Sequence, residues 1–340
     1  MASRLSIRPE TRRSYGEFIH NYLEPYLGGM LVDQVRTEDV QRMFASIIRR
    51  HQEAGRPLTP ASIQRIHATV RAAFNAAVRA GLIQVNPVRG VELPAFRPVR
   101  AVVWTDERVQ AWLRDGSRPV VAVWTAEQTA AFLRSIKDHR WYALFHLVAL
   151  RGLRRGEACG LRWEDIDLDH AELRVVRQVQ RRGGKVVESE PKSAASSRAL
   201  ALDHTTVTAL RQHRHHQSQE RLIAGTRWCE GGWVFTYSDG RPLAPDALTR
   251  LFAKLVTRSG LPPIRLHDLR HGAATLALSA GADLKVVSTM LGHSSIQLTA
   301  DTYTSVLPDT AHKAAEDTAT LLAEVGKKTR RWHHGRPRAA

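Results

Sequence analysis

Residues 265–306 read RLHDLRHGAATLALSAGADLKVVSTMLGHSSIQLTADTYTSV, a stretch that combines helical periodicity with reactive side chains. Its apolar residues recur at helical spacing and predict three helices, at His267–Gly281, Leu284–Leu291 and Ile296–Tyr303. Gly292 follows the second helix, where glycine commonly ends a helix. The stretch therefore predicts a helical region whose connections and helix ends carry the chemistry.

Four side chains in this stretch are candidates for a functional site. His267 and Arg270 are three residues apart, so they share one face at the start of a helix, where an anion is favoured. His293 follows the next helix, and Tyr303 comes ten residues later. We therefore expect a site for an anionic group beside a tyrosine.

The charge balance indicates which anion is involved. The 340 residues include 50 Lys and Arg against 33 Asp and Glu, a net charge of +17. Nucleic acid is the first candidate, because cations that neutralise phosphates release condensed counterions. A membrane surface is the alternative, but no apolar run approaches the roughly 20 residues of a spanning helix. Met1–Arg13 also lacks a signal-peptide pattern, so we expect a cytoplasmic protein that binds no membrane.

No metal site is predicted. Cys159 and Cys229 are far apart and have no paired spacing, so the sequence supports neither a zinc finger nor a disulfide framework. The patch His213, His215 and His216 lies on a predicted helix, where exposed polar residues are commoner than metal ligands.

Cleaving a DNA phosphodiester without a metal requires a nucleophile, cations around the phosphate oxygens and a proton donor for the leaving 5′ oxygen. Tyr303 can supply the nucleophile. Because a phenol has a pKa near 10, it needs a base or electrostatic help. His267, Arg270 and His293 are the residues that could provide this help.

The order HxxR, LGH and then a tyrosine resembles the C-terminal signature of the tyrosine recombinase (phage integrase) family. Gly152-Leu153-Arg154-Arg155-Gly156-Glu157, followed by Leu161-Arg162-Trp163, resembles the first arginine motif of that family. Pro191-Lys192-Ser193 through Ser197-Arg198 resembles its β-hairpin lysine motif. The chain departs from the family pattern in two places. Arg151 stands where the family commonly has threonine, and the interdomain segment is longer. Neither departure removes a catalytic group.

The resemblance implies a role for each matching residue. Arg154 and Arg270 would hold the non-bridging phosphate oxygens, and Lys192 would protonate the leaving 5′ oxygen. His267 would assist proton transfer at Tyr303, and the resulting link would be a 3′-phosphotyrosine. His293 would donate a hydrogen bond to the phosphate, and Glu157 would help to order the site. His271 is expected to be a helix-packing or capping residue, with contact to the phosphate as the alternative. The resemblance implies no cofactor and no metal.

The expected fold is mainly α with a small β-sheet in the catalytic domain (α+β), in a two-domain architecture that closes a clamp on DNA. We expect a helical core-DNA-binding domain at 8–92, a linker with a short duplicated segment at 93–123, a catalytic domain at 124–326 and a basic tail at 327–340. Alternation in Glu172–Val179 and Lys185–Glu188 predicts strands, with Gly183-Gly184 as a hairpin turn.

In the helical domain, Thr37 with Asp39 and Thr59 with Pro60 are predicted helix starts. The helix from Pro60 carries Arg65, Arg71 and Arg79 opposite an apolar face. We expect these three arginines to contact DNA, although a solvated charged face is an equal alternative. Little chain precedes this domain, so we expect a separate N-terminal arm-binding domain to be absent or truncated.

The expected partners are double-stranded DNA attachment sites and three further copies of the chain, as a homotetramer on two DNA sites. An excisionase or a host DNA-bending protein are further candidate partners, and the helix predicted at Asp309–Glu324 is the candidate for exchange between subunits. The favoured function is integration and excision of a phage or other mobile element. Alternatives are a chromosome-dimer resolvase of the Xer type and a regulatory DNA-binding protein with a degenerate recombinase fold.

Overall fold

The computed structural model describes residues 9–95, 99–191, 194–293, 295–297, 316, 318–320 and 322. The chain divides into two compact units, Met1–Pro98 and Val99–Ala340. The site residues predicted for catalysis belong to the second unit.

The described part of the first unit is helical. Its α-helices are α1 (Pro9–Phe18), α2 (Glu24–Leu27), α3 (Thr37–Glu53) and α4 (Pro60–Arg79), with a π-helical turn at Ile19–Leu23 and a 3-10 helix at Pro87–Gly90. The π-helical turn separates α1 from α2. α3 and α4 bury their apolar faces in one core, which includes Val40, Met43, Phe44, Ile47, Ile63, Ile66, Val70 and Phe74.

The starts of α3 and α4 differ. The Thr59 hydroxyl accepts the Ser62 N–H at 3.2 Å, so the predicted cap of α4 is confirmed. At α3 the Asp39 carboxylate accepts the Arg36 N–H at 2.9 Å. The prediction that Thr37 caps this helix is wrong, because its hydroxyl donates to the Pro87 carbonyl at 3.0 Å instead.

The duplicated segment forms two strand-helix pairs: β1 (Val102–Val103) with α5 (Asp106–Asp115), and β2 (Ala122–Val123) with α6 (Ala126–Ser135). The two strands pair in parallel, with Val102 opposite Ala122 and Val103 opposite Val123. The sequence predicts a linker at 93–123, but residues 99–123 are part of the second unit. The physical reason is burial, because Trp104 and Trp124 both lie in the large core of that unit.

The remaining elements of the second unit follow in chain order. They are α7 (Tyr142–Arg151), α8 (Arg155–Cys159), β3 (Ile166–Asp167), β4 (Glu172–Val175), β5 (Gln178–Arg182), β6 (Lys185–Ser189), β7 (Arg198–Ala201), α9 (His204–Ala224), α10 (Pro245–Ser259), α11 (Leu266–Ser279) and α12 (Leu284–Leu291), with 3-10 helices at Trp163–Asp165, Ala194–Ser196 and Gly225–Arg227.

Two small antiparallel sheets form in this unit. One has the strand order β3-β4-β7, and the other is the β5-β6 hairpin. Gly183 and Gly184 have φ of 52° and 82°, the left-handed conformation that a two-residue hairpin turn requires. The predicted turn is confirmed, and the strand predicted at Glu172–Val179 is divided between β4 and β5.

α7 lies at the centre of the second unit and supports the site. Every residue from Ala143 to Ala149 is buried, so this helix is enclosed on all sides. α11 packs against it and buries Leu266, Leu269 and Ala273. The structure confirms the expected α+β class with helices dominant. Among the described residues, none of the helices has the length and apolar character needed to span a membrane.

Candidate active site

Arg154 lies in the tight connection between α7 and α8. Gly152 ends α7 with φ of 64°, a conformation that favours glycine. A Cβ atom at Gly152 would lie 2.6 Å from Leu291 Cδ2, so a larger residue would also have to displace that buried side chain. This turn places Arg154 at the start of α8, with its side chain 34% exposed.

Arg270 reaches the same place from the first turns of α11. It is only 2% exposed. Its Nη1 donates to the carbonyl of Gly152, which is 118 residues away in the sequence, and its Nη2 donates to the carbonyl of Leu291 at 2.5 Å. A buried guanidinium thus fixes α11, the end of α7 and the end of α12 relative to one another.

Three arginines donate hydrogen bonds to the C-terminal end of α12. Three consecutive carbonyls, those of Met290, Leu291 and Gly292, accept hydrogen bonds from Arg198 (2.7 Å), Arg270 (2.5 Å) and Arg154 (2.9 Å), respectively. The last carbonyls of a helix have no partner within the helix and carry partial negative charge, so cations are favoured there. This helix end therefore orients the two arginines that were predicted to hold phosphate.

Gly292 makes this convergence possible. It has φ of 63° and ends α12. A Cβ atom there would lie 2.9 Å from both Arg198 Nη1 and the Ala195 carbonyl oxygen. A larger residue would therefore displace the buried arginine.

Glu157 is the buried anion of the site. Its Oε1 accepts from Arg154 Nη1 at 2.6 Å, and its Oε2 accepts the Arg154 N–H at 2.9 Å. Arg198 Nη2 donates to Oε2 at 2.9 Å. Burial acts to raise the pKa of Glu157, but the hydrogen bond and charge of Arg198 and the charge of Arg154 outweigh it, so this pKa lies below its ordinary value. Glu157 is therefore ionised at neutral pH.

Three histidines adjoin the arginines. The rings of His267 and His271 meet edge to face with centroids 4.8 Å apart. Burial, followed by the charge of Arg270, lowers the pKa of His267. Burial, followed by neighbouring charged groups, lowers the pKa values of His271 and His293 to about 4. At neutral pH all three imidazoles are uncharged, and a neutral imidazole can accept a proton.

The start of α11 is held from two sides. The Asp268 carboxylate accepts the Arg265 N–H at 3.0 Å and pairs with the Arg265 guanidinium at 2.7 Å. Upstream, Trp124 donates to the Pro262 carbonyl at 2.8 Å, and Trp104 donates to the Pro263 carbonyl at 3.3 Å. The two copies of the duplicated segment therefore support the loop that leads to His267.

The structure brings together five of the predicted site residues: Arg154, Glu157, His267, Arg270 and His293. Lys192 and Tyr303 lie outside the described residues, as does most of the predicted Asp309–Glu324 helix. Ser196, four residues after Lys192, has its hydroxyl 3.5 Å from Arg154 Nη1.

The arginines predicted to contact DNA belong to the first unit. Arg65, Arg71 and Arg79 are carried by α4, whose apolar face is buried. Arg65 is exposed, as are Arg71 and Arg79. This arrangement fits the predicted basic face, and DNA contact stays a prediction.

The histidine patch on α9 is not uniformly exposed. His215 and His216 are exposed, but His213 is buried and its Nε2 lies 2.7 Å from the Val234 carbonyl oxygen. The expectation of exposure is therefore wrong for His213, which faces the core. Within the described ranges, no group of three or more His, Cys, Asp and Glu side chains could hold a metal.

Sequence reasoning missed Arg198 as a site residue. Its side chain is 3% exposed and pairs with Glu157, which is 2% exposed. The available signal was strand alternation: Arg198, Leu200 and Leu202 are the inward positions of one strand and its continuation. An arginine at an inward strand position, next to buried leucines, indicates a buried ion pair.

This chain is similar to known proteins over most of its length. Residues 123–309 match the model of the phage integrase family. A "Tyrosine recombinase XerC-like" protein of Caldanaerobacter subterraneus subsp. tengcongensis is 29% identical over 92% of this chain and 78% of its own length. An integrase of Saccharopolyspora erythraea is 25% identical over 86% of this chain and 74% of its own length.

Two solved structures share the fold. The Tn1549 transposon integrase in complex with transposon right end DNA superposes with a TM-score of 0.70 at 22% identity, over 93% of this chain and 96% of that chain. A lambda integrase tetramer bound to a Holliday junction gives a TM-score of 0.56 at 20% identity, over 88% of this chain and 73% of that chain.

Proposed function

The chain belongs to the phage integrase family, and from this premise we propose that it is a site-specific DNA recombinase whose nucleophile is Tyr303. The observation that carries the proposal is the convergence of Arg154 and Arg270 on one helix end, beside two neutral histidines. Two guanidiniums fixed in this way provide positive charge where a phosphate transition state gains negative charge.

The cleavage step follows from these groups. The Tyr303 oxygen attacks the phosphorus, and the bond from phosphorus to the 5′ oxygen breaks. Lys192 gives a proton to the leaving 5′ oxygen, and His267 takes the phenol proton. The products are a 3′-phosphotyrosine and a free 5′ hydroxyl, and a 5′ hydroxyl from a second strand reverses the step. The phosphate ester is conserved, so the reaction needs no external energy source.

His293 and Glu157 complete the scheme. His293 is two residues from the Leu291 carbonyl that holds Arg270, and it serves as a hydrogen-bond donor to phosphate. Glu157 orders Arg154 through two hydrogen bonds. We expect no cofactor or metal in this reaction, because arginine, lysine and histidine supply both the charge and the proton transfers.

The proposed substrate is a pair of double-stranded DNA attachment sites in the cytoplasm, used to integrate and excise a phage or other mobile element. We propose a homotetramer on two sites as the active assembly, which the lambda integrase tetramer on a Holliday junction supports by analogy. An excisionase or a host DNA-bending protein would control direction. In the first unit, Arg65, Arg71 and Arg79 form the proposed DNA-contacting face of α4.

The test is to trap the covalent intermediate. A site is first selected by the protein from a random pool of duplexes, and then prepared with a nick so that cleavage releases a short fragment and cannot be reversed. Wild type should give a denaturation-resistant adduct on a gel, and Tyr303→Phe should bind the site without forming one. An adduct with both proteins would place the nucleophile elsewhere. Binding without any adduct by wild type would favour a regulatory DNA-binding protein.

A further inference from the structure

Arg198 is a deeply enclosed charged side chain beside the site, and the proposed chemistry does not use it. Its Nε donates to the Met290 carbonyl at 2.7 Å, and its Nη1 donates to the Ser196 carbonyl at 2.9 Å. Nη2 donates to Glu157 Oε2 at 2.9 Å, and Nη1 lies 3.3 Å from Oε1. These bonds tie β7, the end of α12 and α8 together.

Glu157 lies between two guanidiniums that differ in exposure. The side chain of Arg198 is 3% exposed, whereas that of Arg154 is 34% exposed. A carboxylate as buried as Glu157 must be neutralised by a partner, because an unpaired buried charge is strongly unfavourable. Arg198 can fill this role because its Nη2 and Nη1 lie 2.9 and 3.3 Å from the two carboxylate oxygens of Glu157.

Arg198 adds to the positive charge of the cluster. With Arg154, Arg198 and Arg270 against Glu157, the cluster carries a net charge of +2, from three cations and one anion. Without Arg198 it would carry +1, and Arg154 would become the only direct guanidinium partner of the buried carboxylate among the described contacts. A guanidinium that must neutralise a carboxylate attracts a phosphate less strongly.

We propose that Arg198 is a positioning residue that neutralises Glu157, so that Arg154 can bind the scissile phosphate. The inference rests on the proposed function, because it assigns Arg154 to the phosphate. Arg198 touches no reacting atom in this scheme. It acts through Glu157 and through the Met290 carbonyl, one residue before the carbonyl that holds Arg270.

The experiment compares four proteins: wild type, Arg198→Met, Glu157→Gln and the double variant. Cleavage of the nicked site is measured in single turnover with protein in excess, and site affinity is measured separately. In R198M the guanidinium of Arg154 would be held by Glu157 and would no longer stabilise the transition state. Because losing one such donor slows an enzyme by about 100-fold or more, we expect R198M to cleave about 100-fold more slowly. Site affinity should change much less, because the other phosphate contacts persist.

The double variant separates this role from simple support of the fold. A glutamine in place of Glu157 carries no charge, so Arg154 would be released, and the R198M/E157Q protein should cleave about tenfold faster than R198M. Arg198→Lys keeps the charge and should cleave faster than R198M. Arg177→Met is the matched control, because Arg177 also forms ion pairs with Asp165 and Glu164, and its described contacts include none of the site residues.

Each outcome bears on the proposal. R198M cleaving at the wild-type rate would overturn it, as would a folded double variant that cleaves no faster than R198M. If R198M does not fold, R198K takes its place, and a folded R198K that still cleaves 100-fold more slowly than wild type would overturn the neutralising role. Absence of any Tyr303-dependent adduct in wild type is a different result, since it would reject the proposed function itself.

Discussion

Arg154 and Arg270 bring the same charge to the site but differ in exposure. Arg270 is 2% exposed and bonds two backbone carbonyls from different helices, whereas Arg154 is 34% exposed. Arg270 therefore contributes more to the stability of the fold than the partly exposed Arg154 does.

Lysine substitutions should separate these contributions. Arg270→Lys removes the fork that reaches two carbonyls, so the free energy of unfolding should fall by about 2–3 kcal/mol. Arg154→Lys should lower it by less than Arg270→Lys does, because lysine keeps a positive charge beside Glu157 and the side chain at this position is 34% exposed. Both variants should cleave DNA about 100-fold more slowly. Urea denaturation and single-turnover cleavage measure the two effects, and equal destabilisation by the two variants would contradict the assignment.

The histidines make stability depend on pH. Burial, followed by the charge of His267, lowers the pKa of His271 from 6.5 to about 4. Between these two values the unfolded chain binds more protons than the folded chain, so the free energy of unfolding falls as the pH falls through this window. His271→Gln removes one titrating group, and its stability should fall less steeply across the same window. Thermal unfolding at a series of pH values measures this, and parallel curves for the two proteins would refute it.

At the scale of elements, the loop before α11 joins the duplicated segment to the site. Trp124→Phe removes a 2.8 Å hydrogen bond to Pro262 and leaves a buried carbonyl without that donor. We expect this substitution to lower the free energy of unfolding by about 1–2 kcal/mol. Trp104→Phe, whose bond is 3.3 Å, should have a smaller effect. Both should slow cleavage modestly, because the loop leads to His267. Denaturation midpoints of the two variants give the ranking, and the reverse order would count against this support.

Local elements were predictable from the sequence. The Thr59 cap and the Gly183-Gly184 turn depend on neighbours within a few residues, so local rules suffice for them. Thr37 was mispredicted because its hydroxyl bonds Pro87, which is 50 residues away.

The other features that the sequence did not predict depend on contacts between residues that are far apart in the chain. The role of Arg198 depends on Glu157, 41 residues away, and on Met290, 92 residues away. Alternation in β7 marks Arg198 as an inward residue, but its partners lie too far away in the sequence for a local pattern to identify them. The segment 99–123 resembled a linker for a similar reason, because the burial of Trp104 depends on core residues that come much later in the chain.

At the scale of the whole molecule, the excess of basic residues governs DNA affinity. A net charge of +17 predicts binding that releases many counterions. Affinity for the selected site should fall by roughly 10³ or more between about 50 and 200 mM salt. Titrations by fluorescence anisotropy at several salt concentrations measure the slope, and an affinity independent of salt would argue against phosphate contacts as the main source of binding.

The central claim is that Tyr303 becomes covalently joined to a DNA 3′ phosphate. Trypsin should release residues 286–313 as one peptide, in which Tyr303 is the only tyrosine. After nuclease trimming of the trapped adduct, mass spectrometry should find this peptide carrying a nucleotide 3′ phosphate on Tyr303. The same modification on any other residue, or a DNA-linked peptide from another part of the chain, would contradict the account.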